Sequence, residues 1–192
     1  MEQSEAKANR RPRADSQRNR ERLLAAARAV FRSGSPDGSL EAVARTAGVG
    51  IGTLYRHFPT REALFEAVYR HEVDELVALA DGLSDDADSL AALRRWLHAS
   101  VAMVATKRGM VAALDPAPDP TGTLYADNAA RLARAADGLL ARAAAEGRVR
   151  ADLGGEDVMR AVVGMCYTRE HPEWRAIVLR LVDVFVDGLA AR

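Results

Sequence analysis

The sequence has very few residues of the kinds that build disulfides or membrane spans. Cys166 is its only cysteine, so no disulfide can form within one chain, and a reducing compartment is expected. No apolar run approaches the roughly 18 residues that a membrane span needs. The charged segment 1–20 contains no apolar signal region. These absences predict a cytoplasmic protein that has no membrane partner.

Motifs for catalysis and for cofactor binding are also scarce. The chain has four histidines and no glycine-rich phosphate loop. His71 lies near Asp74 and Glu75, and His171 lies between two glutamates, but neither group has a recognised metal-ligand spacing. A solvated helix face explains both groups better than a metal site does. We therefore expect no enzyme activity, no metal and no cofactor, with a metal-dependent enzyme as the alternative.

The charges balance over the whole chain but not along it. Residues 1–70 carry 13 basic and 8 acidic side chains, whereas residues 71–192 carry 14 and 19. A basic head before an acidic body indicates a polyanion-binding module joined to a second unit. Residues 1–14 are basic and lack apolar periodicity, so they are predicted to form a flexible arm. That arm is either solvated or inserted into a DNA minor groove.

Helical spacing of apolar residues begins near Asp15 and recurs along the rest of the chain, and no segment alternates as a strand does. An all-α fold is therefore predicted. Glycine and proline clusters interrupt the helical pattern at Ser33–Gly38, Gly48–Gly50, Pro59, Asp115–Pro120 and Gly147–Gly155. The resulting organisation is an arm over residues 1–14, a three-helix head over 15–59 and a helical body over 60–192.

Residues 39–58 have the features of a helix-turn-helix, a pair of short helices joined by a tight turn. Ser39 is suited to cap the first helix, and Gly48 is suited to the left-handed turn that follows it. Ala44 is small enough to let the two helices cross closely, and Leu54 can fill the angle between them. The second helix is predicted to run from about Ile51 to the residue before Pro59.

The exposed side of that second helix carries groups that suit a DNA groove. Arg56 can pair with the two acceptors of guanine in the major groove. Thr53, Tyr55 and His57 are neutral hydrogen-bonding residues suited to phosphate oxygens, and Thr53 is also suited to base edges. Tyr55 has an alternative role as a residue that is partly in the core, and His57 has an alternative role as a cap at the end of its helix. Gly52 costs the helix roughly 1 kcal/mol, which a close approach of its backbone to the groove would explain.

Residues 48–68 read GVGIGTLYRHFPTREALFEAV and resemble the DNA-binding head of the TetR family of bacterial regulators. The resemblance extends over about residues 20–69. It implies that Thr53, Tyr55 and His57 occupy positions used on DNA. It also implies that Arg61 occupies a phosphate-contacting position that is usually Lys, which keeps the charge but changes its geometry. Ile51 stands where a small polar residue is common, which implies an apolar contact such as a thymine methyl group.

The family resemblance further implies a helical regulatory domain with a ligand cavity and a dimer interface built by the last two helices. The apolar stripes of those helices agree with a four-helix interface between two subunits. The alternative is that both helices only close the core of one subunit. Aromatic and methionine side chains among small residues suit an adaptable cavity. The candidate ligand-binding residues are Trp96, His98, Met103, Met110, Tyr125, Met165 and Tyr167.

The resemblance therefore implies a homodimeric repressor that binds a palindromic double-stranded DNA operator and is released by a small-molecule effector. The effector would shift the population of head arrangements through the long helix that starts near Thr60, provided that it binds the two arrangements with different affinity. A DNA-binding regulator or activator that needs no ligand remains the alternative, and a purely structural helical scaffold is a third.

Overall fold

The computed structural model describes the backbone of residues 2–33, 39–113, 123–167 and 171–190, and the side chains of residues 15–33, 39–112, 126–167 and 171–190. This part of the chain is all-helical, as predicted, with no strand beyond one isolated bridge between Val149 and Ala190. None of these helices is long and apolar enough to cross a membrane. The helices are α1 (Glu2–Arg32), α2 (Leu40–Ala47), α3 (Ile51–His57), α4 (Arg61–Gly82), α5 (Ser89–Ala113), α6 (Thr123–Ala145), α7 (Gly155–Cys166) and α8 (Trp174–Gly188).

Helix α1 begins earlier than the sequence analysis predicted. It starts at Glu2 rather than near Asp15, so the backbone of residues 2–14 continues the helix, and the flexibility of this arm stays a prediction. Ala, Arg, Lys, Glu and Gln have high intrinsic helix propensity and can extend an existing helix without an apolar face, whereas Pro12 within this stretch lacks the N–H that an interior helical residue donates. A contact of this segment with DNA stays a prediction. The predicted breaks within 34–38 and 115–120 lie outside the described residues.

The chain divides into two compact units. The first contains Met1–Val68 and Thr106–Ala117, and the second contains Tyr69–Ala105 and Pro118–Arg192. The first unit therefore holds the start of α4 and the last turns of α5, whereas the sequence analysis placed everything after Pro59 in the body. The physical reason is that the last turns of α5 pack against α1, although the two helices lie far apart in the chain. The functional boundary near Thr60 stays a prediction.

The core of the first unit is built around Phe31, near the end of α1. Its side chain is 1% exposed, and its ring meets the ring of Phe65 on α4 edge to face at a centroid distance of 4.6 Å. The last turns of α5 pack directly on the backbone of Phe31. A Cβ atom added to Gly109 would lie 1.9 Å from the carbonyl oxygen of Phe31, and Arg32 Nε donates to Thr106 Oγ1 at 3.3 Å.

The core of the second unit contains Trp96, which is fully buried on α5 and donates its indole N–H to the carbonyl of Leu76 on α4 at 2.8 Å. Helices α6 and α7 approach each other closely at Gly155. A Cβ atom there would lie 2.0 Å from the carbonyl oxygen of Ala133, and the Gly155 N–H donates to Asp137 Oδ1 at 2.6 Å. These contacts fix the start of α7 on α6.

Helix α8 is held against α5 by a cluster of charged side chains. Arg94 on α5 donates to Asp183 Oδ1 at 3.0 Å and to Asp187 Oδ1 at 2.6 Å. His98 Nε2 lies 2.8 Å from the same Asp183 oxygen. The hydrogen bond from Arg94 is the main reason that the pKa of Asp183 lies below its ordinary value. Beside this cluster, the inner face of α8 is buried in this unit through Val178, Val182 and Val186.

Candidate DNA-binding surface

The helix-turn-helix predicted from residues 39–58 is present, and its cap and its turn have the expected geometry. The Ser39 side chain accepts a hydrogen bond from the N–H of Ala42 at 3.1 Å and so caps α2. Gly48 ends α2 with φ 65° and ψ 37°, a left-handed conformation that favours glycine. The next N–H, of Val49, donates to the carbonyl of Ala44 at 3.0 Å. This turn sets the angle at which α3 leaves α2.

Helix α3 is anchored in the head by one fully buried side chain, and its C-cap residue is buried as well. Leu54 is fully buried and is the one residue of α3 that is classed as buried. Phe58, the C-cap, is 3% exposed and donates its N–H to the carbonyl of Leu54 at 2.8 Å. Leu54 is therefore a core residue, as predicted, and the other residues of α3 are exposed or half-buried.

The predicted DNA-binding residues of α3 form the surface that Leu54 leaves outside. Ile51 is 38% and Tyr55 is 45% exposed, which is high for large side chains that contain so much apolar area. Gly52 and Arg56 are also exposed, and Thr53 and His57 are half-buried. No acidic residue occurs in α3. This surface therefore combines an accessible cation, hydrogen-bonding groups and a projecting apolar side chain, which is the chemistry that a DNA major groove requires.

Arg61 lies at the first position of α4, beyond the end of α3, and part of its side chain is used in packing. Its guanidinium carbon lies 5.7 Å from the centroid of the Phe65 ring, and the residue is half-buried. Thr60 Oγ1 accepts from the N–H of Ala63 at 3.1 Å, as predicted for a helix cap. A phosphate contact by Arg61 stays a prediction.

Two further residues of this head, Arg20 and Arg22 on α1, make contacts that the sequence alone does not predict. The guanidinium carbon of Arg20 lies 5.5 Å from the centroid of the Phe58 ring. Arg22 Nη2 donates to the carbonyl oxygen of Gly48 at 3.5 Å. No local pattern could have revealed either contact, because each joins residues that are at least 26 positions apart in the chain.

The candidate ligand-binding residues do not share one environment. Trp96 and Met103 are buried in the second unit, and Met110 is buried in the first. His98 is half-buried and contacts Asp183 on α8, whereas Trp96 contacts α4. The two side chains differ in this way because residues two positions apart on a helix point in different directions. Met165 is half-buried.

The last two ligand-binding candidates are Tyr125 and Tyr167. Tyr167 is 54% exposed, so in the single chain it does not line an enclosed cavity. The side chain of Tyr125 lies outside the described residues. The set as a whole stays a prediction. A cleft of about 170 Å³ between residues 80–84 and 134–142 contains none of these residues, and it is smaller than the roughly 300 Å³ at which ligand pockets begin. Within the described side chains, no group of three or more potential metal ligands comes together.

Comparison with known proteins gives two matches to family models. Residues 23–68 match the model for the DNA-binding region of bacterial regulatory proteins of the TetR family. Residues 88–191 match the C-terminal domain of SbtR-like transcriptional regulators, a TetR-type regulatory domain. The chain belongs to the TetR family of transcriptional regulators. The first match contains α2, α3 and the start of α4, so the helix-turn-helix lies within it.

This TetR-family regulator is similar along most of its length to two solved structures. It is 41% identical to the TetR transcriptional regulator SCO0520 of Streptomyces coelicolor, with a TM-score of 0.77, over 90% of this chain and 98% of that one. It is 32% identical to a TetR regulatory protein of Mycobacterium vanbaalenii, with a TM-score of 0.70, over 93% and 99% of the two chains.

A curated relative, the regulator UidR of Escherichia coli K12, is 34% identical to the chain over 65 residues. That match spans 33% of this chain and 33% of UidR. The likeness to UidR therefore covers only a third of either protein.

Proposed function

We propose that this TetR-family regulator is a cytoplasmic homodimeric repressor that binds a palindromic operator through α3 and leaves it when a small molecule binds. The observation that carries the proposal is the exposed face of α3, which presents Tyr55, Arg56 and an apolar Ile51 to solvent on a helix without acidic residues. A twofold dimer would place two such helices roughly 34–36 Å apart, the spacing of half-sites one DNA turn apart.

Binding to DNA is tested first with the parent protein and a duplex selected by it from a random-sequence pool. The selected sequence is expected to be palindromic, and its affinity is expected to fall steeply as salt rises, because phosphate contacts release counterions. A scrambled duplex of the same composition is the control. Equal affinity for the selected and scrambled duplexes would contradict operator recognition.

The roles of Arg56 and Arg61 are separated by two alanine variants. Arg56→Ala is expected to cost about 1–3 kcal/mol on the selected operator and to relax its sequence preference, since it removes a base contact. Arg61→Ala is expected to weaken binding to both duplexes alike and to lower the salt slope by about 1, since it removes a phosphate contact. Fluorescence anisotropy titrations at several salt concentrations measure both effects. The assignment is wrong if the two variants behave like the parent.

The effector response is proposed for the second unit, where Asn128 on α6 offers a buried donor. This side chain is 3% exposed, and its Oδ1 atom accepts from Arg131 Nη1 at 3.4 Å. Its Nδ2 atom is buried and has no hydrogen-bond partner among the described residues. Buried donors without a partner are rare in folded proteins. An acceptor group on a small molecule would satisfy this one.

The effector hypothesis makes a prediction for Asn128→Leu. A compound that releases the parent from its operator is expected to raise the parent's unfolding temperature with increasing concentration. Asn128→Leu should weaken that effect while leaving the ligand-free unfolding temperature unchanged or higher, because it removes a buried N–H donor that has no partner among the described residues, and Arg131 keeps its contact with Asp74. Thermal unfolding against a metabolite panel measures both. If no compound both stabilises the protein and releases DNA, the alternative of a ligand-independent regulator is favoured.

A further inference from the structure

Helix α3 has few contacts of its own that could fix its direction. It is seven residues long, its N-cap is Gly50, which has no side chain to cap the helix, and Leu54 is its one buried residue. A helix this short is not stable alone, because nucleation is costly and propagation adds little over two turns. The orientation of the recognition surface must therefore be determined by residues outside α3.

Helix α1 contacts the segment before α3 through Arg22. Its Nη2 atom donates to the carbonyl oxygen of Gly48 at 3.5 Å, within the turn that leads into α3. The same atom lies 2.7 Å from the position that a Cβ atom on Gly48 would occupy. The guanidinium group of Arg22 therefore lies directly over the left-handed turn, and glycine at position 48 leaves the space for it.

Helix α1 also contacts the end of α3 through Arg20. The Arg20 guanidinium lies over the Phe58 ring at 5.5 Å from its centroid, within the distance at which a cation is attracted to an aromatic face. Phe58 is the C-cap of α3, and the His57 ring lies 6.3 Å from the Phe58 ring. Arg20 therefore adds a cation–π contact to Phe58, the buried aromatic residue on which α3 ends.

We propose that Arg20 and Arg22 are positioning residues for DNA recognition, which together fix α3 from its two ends. The proposal rests on the proposed function in that α3 reads DNA. Neither arginine needs to contact DNA in this role. Arg20 contacts the ring of Phe58 and Arg22 contacts the carbonyl oxygen of Gly48, so both act through the position of α3. Their removal therefore reduces the fraction of molecules in which α3 has the orientation that fits a specific sequence. The sequence-independent attraction to phosphates is unchanged, because it depends on other groups.

The test uses Arg20→Met in the full chain, since methionine keeps an unbranched stem and a high helix propensity but removes the cation. Affinity for the selected operator is expected to fall about two- to fivefold per head, the value of one exposed cation–π contact. Affinity for the scrambled duplex and the salt slope are expected to stay at the parent values. Arg20→Lys, which retains a cation for the ring, should recover most of the loss. Arg22→Met should lower the same affinity ratio.

Arg18→Met is the matched control for the loss of one positive charge on α1, because Arg18 pairs with Asp15. It should leave the ratio of operator to scrambled affinity unchanged. Amide hydrogen exchange without DNA gives a second readout. Exchange over residues 53–58 should accelerate about two- to fivefold in Arg20→Met and stay unchanged in Arg18→Met.

Several outcomes would overturn the proposal. If Arg20→Met lowers the salt slope by about 1 and weakens both duplexes equally, Arg20 is a phosphate contact and not a positioning residue. Unchanged exchange over residues 53–58 together with an unchanged affinity ratio would also overturn it. The exchange measurement needs no DNA, so it separates a failure of this inference from a failure of the proposed function, which would appear as a parent that does not distinguish the two duplexes.

Discussion

The double variant Leu181→Glu with Val184→Glu is expected to sediment as a single subunit of 20.7 kDa and to lose about 100-fold or more of its operator affinity. Leu181 is 42% exposed and Val184 is 68% exposed on α8, on the face opposite the one that is buried in the same unit. Together with Ile177 and Gly188 they recur at four- and three-residue steps, which is the spacing of helices that pack in bundles.

The size of the expected effect follows from what the substitutions place in the proposed dimer interface. Each subunit would contribute two carboxylates where apolar groups meet, and burying a charge without a partner costs several kcal/mol. The lost burial of an aliphatic side chain costs about 1.5–3 kcal/mol more. A single subunit then reaches only one half-site, so the gain from simultaneous contact of two heads disappears.

Ala176→Asp is the matched control for the dimer variant. Ala176 is exposed in the first turn of the same helix but lies away from the apolar stripe, and an acidic residue is favourable near a helix N-terminus. This variant should keep the parent mass and the parent affinity for DNA. Sedimentation velocity measures the mass of both variants. A double glutamate variant that remains a dimer would show that α8 does not form the interface.

Gly109→Ala is expected to destabilise the first unit by about 1–3 kcal/mol or more. The added Cβ would lie 1.9 Å from the carbonyl oxygen of Phe31 and 2.8 Å from its carbonyl carbon. Both are backbone atoms, so no side-chain rotation can relieve the clash, and α5 must move away from α1. That movement would open the packing around Phe31, whose ring is 1% exposed.

Gly138→Ala on α6 is the control for the change from glycine to alanine inside a helix. Nothing lies within 4 Å of the Cβ position there, so the variant is expected to gain about 1 kcal/mol from helix propensity. Urea unfolding monitored by circular dichroism compares the two variants with the parent. If Gly109→Ala is as stable as Gly138→Ala, the close packing of α5 on α1 does not contribute to folding.

The helix-turn-helix could be predicted from the sequence because its determinants are local. Ser39 caps the helix that follows it, Gly48 occupies a left-handed turn, and Leu54 lies on the buried side of α3. Each of these roles depends on residues only a few positions away. The all-helical class could be predicted for the same reason, since amphipathic spacing and breaks are visible within short windows.

The arrangement of the candidate ligand-binding residues could not be predicted in this way. Trp96 and His98 are close in sequence but turn to different helices, α4 and α8. The contacts of Arg20 with Phe58 and of Gly109 with Phe31 join distant parts of the chain. Such contacts depend on how helices pack, and a single sequence carries no direct signal for them.

The contribution of α5 to the first unit has a consequence for exchanging specificity between relatives. The segment Thr106–Ala113 packs with the head although it comes about forty positions later in the chain. Grafting only residues 1–68 onto another regulator would therefore place Phe31 against a foreign residue instead of Gly109. A chimaera that transplants the reading head should therefore carry two separate stretches of chain, and evolutionary recombination at a single crossover point after α3 would produce mismatched proteins.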